Sequence, residues 1–223
     1  MLFRSPTEPG WAAWAREAVV RAVEGSQGRA LVLASTWRQA QDYAAALREQ
    51  KESGGASYPI LVQGEQGRAV LRQRFRDEVD SVLVGTRSFF EGLDVQGESC
   101  SCVIIDRIPF ARPDDLVEDA VASAIGERAG GSPYLLRSVP EAAMVLAQGA
   151  GRLIRSSTDR GVLVLLDGRV LQSGPSWRRL AAALPPFRRS GSLRDVRAFL
   201  AGEALVGVVQ AKQRRMVLSD WED

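Results

Sequence analysis

The chain has 223 residues, 45% hydrophobic and 25% charged, with a formal net charge of +2; this is the balance of an ordinary globular domain, and bulk charge does not mark it as a nucleic-acid binder. It contains no histidine and only two cysteines, Cys100 and Cys102, which excludes His general-base catalysis, Ser-His-Asp triads, His metal sites, and a self-contained iron–sulfur cluster or closed zinc site. No apolar run reaches the length of a membrane span, and the start from Met1 to Gly10 lacks the basic-then-apolar order of a signal peptide, so a cytoplasmic location is expected.

Helix-like and strand-like segments alternate along the chain. Trp11 to Val23 carries apolar residues at helical spacing, and Ala30 to Ala34 is a short apolar strand ended by Ser35-Thr36. Arg38 to Gln50 predicts a helix closed by Gly54-Gly55. Tyr58 to Val62 is a second strand, Gln66 to Glu78 an amphipathic helix, and Ser81 to Val84 a third strand running into Gly85-Thr86. Cys102 to Ile105 is a fourth strand, with the two cysteines packing around it; Leu116 to Glu127 is helical. Glu141 to Ile154 is a helix with Pro140 at its start, where the missing N–H costs nothing. Gly161 to Leu166 is the fifth strand, and Ser176 to Ala183 and Leu193 to Leu200 are further helices.

The strands are continuous apolar runs, the pattern of a parallel sheet buried on both faces. With helices between them they predict an α/β layered domain, whose ligands bind beyond the carboxyl ends of the strands. The polar groups Ser35-Thr36-Trp37-Arg38, Gln63-Gly64, Gly85-Thr86-Arg87 and Asp106-Arg107 all fall there. Pro185-Pro186 marks a boundary: residues 1–185 form the main domain and 186–223 a C-terminal helical extension of it.

The run Gln148-Gly149-Ala150-Gly151-Arg152-Leu153-Ile154-Arg155 fits Q-x-x-G-R-x-x-R. Two arginines three apart on one side of a helix can both reach one anion, and a planar guanidinium suits phosphate oxygens. All but two of the 29 basic residues, Lys51 and Lys212, are arginine, for which codon bias in a GC-rich genome is the blander explanation. A second run, Val84-Gly85-Thr86-Arg87-Ser88-Phe89-Phe90-Glu91-Gly92-Leu93-Asp94, follows a strand. Its glycines allow close backbone approach to a ligand, and Thr86 and Ser88 can hydrogen-bond phosphate. The same run also reads as a polar loop with two buried phenylalanines.

The first run resembles motif VI of superfamily 2 helicases, and the second resembles motif V of their DinG branch, the XPD-like helicases. Ile104-Ile105-Asp106-Arg107-Ile108-Pro109-Phe110 is similar to that family's strand and loop after motif V, Leu31 to Trp37 to its motif IV, and Leu184-Pro185-Pro186-Phe187-Arg188 to its C-terminal segment. The resemblance runs from about Trp11 to about Leu200, with the motifs in order. It implies a RecA-like three-layer fold with a mostly parallel sheet, a P-loop-type fold lacking the P-loop, acting as the second motor domain of an ATP-dependent 5′-to-3′ DNA helicase. Arg152 and Arg155 would then be the arginines facing the γ-phosphate, with Arg155 the finger, and Gln148 would position phosphate or attacking water. Gly92, Asp94, Glu91 and Gly151 would lie at the nucleotide edge. Thr36, Trp37, Arg38, Thr86 and Arg87 would face single-stranded DNA or an RNA–DNA hybrid, and Phe89 and Phe90 would stack on bases or fill core. For Trp37, core packing and base stacking both remain open. The family includes chromosomal repair helicases and relatives attached to type IV CRISPR systems.

Two acidic signals are decoys. Asp77-Glu78-Val79-Asp80 spells a DExD box, but it ends an amphipathic helix instead of an apolar strand. Asp106 and Asp167 do end apolar strands, yet no G-x-x-x-x-G-K-[ST] accompanies them. The phosphate cradle, its lysine and the magnesium ligand, all needed for phosphoryl transfer, would belong to a first motor domain, which would hold ATP and Mg2+. This chain alone is expected to be inactive. The alternative is a non-catalytic nucleic-acid or protein-binding module with the same fold.

Overall fold

The computed structural model describes residues 5–55, 57–86, 100–110, 116–151, 153, 160–171, 174–184, 188–203 and 208–209. Helix α1 (Trp11–Ser26) leads into strand β1 (Ala30–Ala34), then α2 (Trp37–Glu52), β2 (Ile60–Val62), α3 (Arg68–Asp77), β3 (Val82–Thr86) and β4 (Cys102–Ile105). Helices α4 (Leu116–Ala129) and α5 (Val139–Ala150) follow, joined through a π-helical turn at Tyr134–Ser138, then β5 (Val162–Leu165) and α6 (Pro175–Ala183). Helix α7 (Arg194–Ala201) stands between β6 (Arg189–Ser190) and β7 (Val208–Val209), a small antiparallel pair.

Strands β1 to β5 form one sheet in the order β2-β3-β1-β4-β5, with every pairing parallel. The uninterrupted apolar runs are explained by cover on both faces. Ala30, Val32, Ala34, Cys102 and Ile104 pack with α1 and α2, to which Val196 of α7 adds. Leu31, Leu33, Leu61, Leu83, Val103 and Ile105 point the other way, into a second core with Leu71 and Phe75 of α3, Leu146 of α5 and Leu180 of α6. This is a three-layer α/β domain of RecA-like type.

The strand after β1 in sequence lies at the far edge, and β3 and β4 flank β1 on either side. Helix α2 follows β1 on one face of the sheet, whereas α5 follows β4 on the other. The carboxyl ends of β1 and β4 are therefore a switch point, where loops diverge and leave a crevice.

Cys100 and Cys102 are buried and in no disulfide among the described residues, and burial pushes the Cys102 thiol up to about 12. Of the acidic tetrad, Asp77 ends α3 and takes the Gln73 amide, Glu78 pairs with Arg74 at 2.6 Å, and Asp80 is exposed. It is a solvated turn, as its place after an amphipathic helix implied.

One helix is shorter than its sequence suggested. The expected helix to Ile154 stops at Ala150. The Gly151 N–H still reaches back four residues to the Ala147 carbonyl, at 2.9 Å, but the Leu153 N–H bonds Ala150, only three back, at 3.1 Å. Gly149 and Gly151 lower the helical preference where the ladder tightens.

Candidate functional site

Parallel strands deliver their following residues to one edge, and this edge gathers the polar groups that the sequence picked out. Thr36 caps α2: its hydroxyl accepts from the Gln39 N–H at 3.1 Å. The cap fixes the first turn of α2, and with it Trp37 and Arg38, both exposed. Trp37 is 47% exposed, so it is not a core residue. Its benzo edge lies over Gly64, just past β2, where a Cβ would come within 2.5 Å of Trp37 Cη2.

Thr86 ends β3, in register with Ala34 of β1. Its N–H and hydroxyl both donate to the Gln63 side-chain carbonyl, at 2.7 and 3.0 Å. Thr36, Trp37, Arg38 and Thr86 thus stand at the carboxyl ends of β1 and β3, and Gln63 and Gly64, from the end of the edge strand β2, touch Thr86 and Trp37.

On the other side of β1 the switch point is closed by Asp106. Its carboxylate is 1% exposed, accepts the Ser35 hydroxyl at 3.0 Å, and lies 3.5 Å from the Tyr43 hydroxyl. Among the described residues its second oxygen has no hydrogen-bond partner. Burial raises its pKa to about 6, against the opposite pull of Ser35 and Arg107. Tyr43 is pushed up as well, first by burial and then by the Asp106 charge, and stays neutral.

Asp167, also 1% exposed, follows β5. It accepts from the Ile108 N–H at 3.0 Å and from the Arg169 guanidinium at 2.9 and 2.7 Å. Arg169 in turn lies over the rings of Phe110 and Trp177. Both carboxylates that end strands are thus used in hydrogen bonds and ion pairs at loop starts. Among the described residues no group of three or more His, Cys, Asp and Glu could hold a metal ion. No described helix is long and apolar enough to cross a membrane.

Gln148 and Gly151 lie elsewhere. Gln148 is exposed on the last turn of α5, and Gly151 is exposed at its C-cap. Leu153 is buried and seats against Gly161, which precedes β5: a Cβ on Gly161 would come within 2.9 Å of the Leu153 Cβ. The end of α5 is therefore at the amino end of β5, at the opposite edge from Thr36 and Thr86. The sequence spacing gave no sign of this separation. Arg87, Phe89, Phe90, Glu91, Gly92, Asp94, Arg152 and Arg155 lie outside the described residues.

Gln63, Gly64 and Asp106 were visible in the sequence only as polar residues at strand ends; what each touches depends on which strands are neighbours.

A three-layer α/β domain with a polar carboxyl edge and the sequence pattern Q-x-x-G-R-x-x-R fits one class, the C-terminal domains of helicases. Residues 19–187 match the family described as the helicase C-terminal domain, and the chain belongs to that family. It is similar to the ATP-dependent helicase DinG of Mycobacterium tuberculosis (strain ATCC 25618 / H37Rv), 39% identical over 182 residues, covering 82% of this chain and 26% of the relative. The ATP-dependent DNA helicase YoaA of Escherichia coli (strain K12) is 37% identical over 179 residues, 80% of this chain and 27% of the relative. The 3'-5' exonuclease DinG of Bacillus subtilis (strain 168) is 33% identical over 148 residues, 65% of this chain and 16% of the relative. The chain is a DinG-like helicase C-terminal domain, and it spans about a quarter of the length of the first two relatives.

Proposed function

We propose that this chain is the second motor domain of an ATP-dependent DNA helicase that moves 5′ to 3′ on single strands. Its carboxyl edge grips the strand, and the turn after α5 faces ATP held by a first motor domain. The observation that carries the reading is the exposed Thr36-Trp37-Arg38 turn at the carboxyl edge, with a half-exposed indole backed by Gly64. A ring held at its benzo edge and half-exposed offers a stacking surface to a base of any sequence, because every base has a π-face. Arg38 supplies a phosphate contact, and Thr86, whose hydroxyl proton goes to Gln63, offers its hydroxyl oxygen as an acceptor for a base N–H. Arg87, Phe89 and Phe90 follow Thr86 directly in sequence and extend the same surface in this reading; an RNA–DNA hybrid offers the same exposed chemistry.

At the other edge, Leu153, which stands between Arg152 and Arg155 in sequence, is buried against Gly161, and this supports a nucleotide role for that edge. These two guanidinium groups offset charge on the transferred phosphoryl group, Arg155 as the finger, and Gln148 orients phosphate or water. Glu91, Gly92 and Asp94 belong to the connection from Thr86 to Cys100, whose two ends stand at the two edges of the sheet. Together with Gly151 they complete the nucleotide side. The first domain holds Mg2+ and the phosphates, so this chain alone turns over no ATP. ATP closes the two domains and hydrolysis releases them, which steps the DNA-facing loops along the strand.

The test is DNA-stimulated ATPase of the complete protein carrying Arg155→Ala or Arg152→Ala. Loss of an arginine finger is expected to cost about a thousandfold or more in kcat. Near-normal rates in both variants would remove the nucleotide role. Retained binding to single strands with no ATPase in the unaltered complete protein would favour a non-catalytic binding module.

A further inference from the structure

Two contacts at the end of β2 reach residues of different elements, Thr86 of β3 and Trp37 of α2. Gln63 turns its carboxamide oxygen toward β3, where it takes both the N–H and the hydroxyl of Thr86. The Gln63 backbone N–H meanwhile stays in the ladder, donating to the Val84 carbonyl at 2.9 Å. Gln63 is therefore held on β3 by three hydrogen bonds, two on its side chain from Thr86 and one from its backbone N–H to Val84. The next residue, Gly64, has φ +92, a left-handed backbone that favours glycine. It lies under Trp37 of α2, and a Cβ there would overlap the indole at Cη2 and approach Cζ2 at 3.0 Å. Glycine is thus required twice, by the turn and by the ring above it.

We infer that Gln63 and Gly64 are positioning residues that set Thr86 and Trp37, respectively, for contact with a single-stranded nucleic acid. The inference rests on the strand-gripping role proposed above and adds two residues to it. Gly64 acts by absence: it leaves room for the benzo edge of the indole against the backbone, so that the ring is held at that edge while about half of it stays exposed for a base. Gln63 acts by acceptance: it takes the Thr86 hydroxyl proton, so that what Thr86 offers a nucleic acid is a hydroxyl oxygen held in place as an acceptor. Because the two are consecutive, one turn after β2 registers the β1–α2 loop and the β3 end against each other. Neither residue need touch the nucleic acid to matter. Arg48, on α2, pairs with Glu65 at 2.6 Å and ties the same turn to the helix that carries Trp37.

The experiment measures affinity of the 223-residue chain for a labelled oligothymidylate by fluorescence anisotropy across a salt series, using Trp37→Ala, Gly64→Ala, their combination, and Gln63→Ala. Circular dichroism checks that each variant is folded. Loss of one stacking contact weakens binding by about 5- to 150-fold. Gly64→Ala is expected to weaken binding to a comparable extent, with an unchanged slope of log affinity on log salt, since no phosphate contact is removed. In the Trp37→Ala background the overlap with the ring is gone and only the turn's backbone strain remains, so Gly64→Ala is expected to add much less than it costs alone. Gln63→Ala keeps the Gly64 backbone and supplies a second test where Gly64→Ala does not fold; it is expected to weaken binding and to combine additively with Trp37→Ala. Wild-type affinity in Gly64→Ala, or a full additional loss on top of Trp37→Ala, would overturn the role of Gly64. Wild-type affinity in Gln63→Ala would overturn that of Gln63. If Trp37→Ala itself binds like the unaltered chain, or the unaltered chain does not bind, the strand-gripping role fails and this inference with it.

Discussion

Asp106→Asn isolates a single buried charge at the switch point of the sheet. The aspartate is almost wholly buried, and its two hydroxyl neighbours, Ser35 and Tyr43, satisfy one oxygen and leave the other without a partner among the described residues. Its pKa stands at about 6 in the folded protein against an ordinary value of 3.8, chiefly because burial disfavours the charged form. The folded chain therefore holds this proton more tightly than the unfolded chain does. The resulting stability is fully present below about pH 4 and is lost as pH rises through about 6. A gap of about two units corresponds to about 3 kcal/mol, of which about 2 kcal/mol falls between about pH 4.5 and about pH 7.5. Asparagine has the same shape and does not titrate, so the variant lacks this term. Its absolute stability carries a different cost, because an amide nitrogen in place of the unpartnered oxygen is a buried donor without an acceptor, about 1–3 kcal/mol. The informative quantity is thus the change with pH. Urea unfolding of both proteins across that window is expected to show the wild type losing about 2 kcal/mol relative to Asp106→Asn as pH rises. All other carboxylates cancel in the difference. Parallel stability profiles would refute the argument that this carboxyl is desolvated and under-satisfied.

Thr36→Ala removes the N-cap of α2 and is expected to destabilise the chain by about 0.5–2 kcal/mol in urea unfolding. Phe75 is fully buried on α3, and Phe75→Ala should cost about 3–5 kcal/mol by the same measurement. Arg169→Ala leaves the Asp167 carboxylate buried without its cation; backbone N–H groups of Ile108 and Arg169 still reach it, so the loss in thermal or urea unfolding is expected near the lower end of about 3–5 kcal/mol.

How far the fold could be read from the sequence follows from which interactions are local. Strands β1 and β4 occupy the residues that their apolar runs mark, Ala30–Ala34 and Cys102–Ile105, because cover on both faces leaves no polar residue inside the run. Strand β3 runs two residues past the apolar stretch, through Gly85 and Thr86. The Thr86 N–H finds its acceptor on Gln63, 23 positions away, and no local pattern carries that. The π-helical turn at Tyr134–Ser138 is likewise invisible locally; Tyr134 packs on Phe110 from beyond β4, with ring centres 5.6 Å apart. The antiparallel pair β6 and β7, two residues each, is too short for periodicity to register.

The candidate site divides along the same line. Residue type and strand-end position were enough to single out Thr36, Trp37, Arg38 and Thr86, because any parallel sheet sends such residues to its carboxyl edge. Strand order was not legible, and it is strand order that seats Trp37 on Gly64, Thr86 on Gln63 and Ser35 on Asp106. It also sets the end of α5 at the amino end of β5, across the sheet from the exposed indole. Two buried faces make the intervening sheet stiff, since close-packed side chains resist sliding. On the proposed function, strand gripping and nucleotide sensing then need no internal signal between the two edges. A rigid-body swing of the whole domain against its partner moves both at once, and a substitution within the core should alter stability without uncoupling ATPase from strand binding.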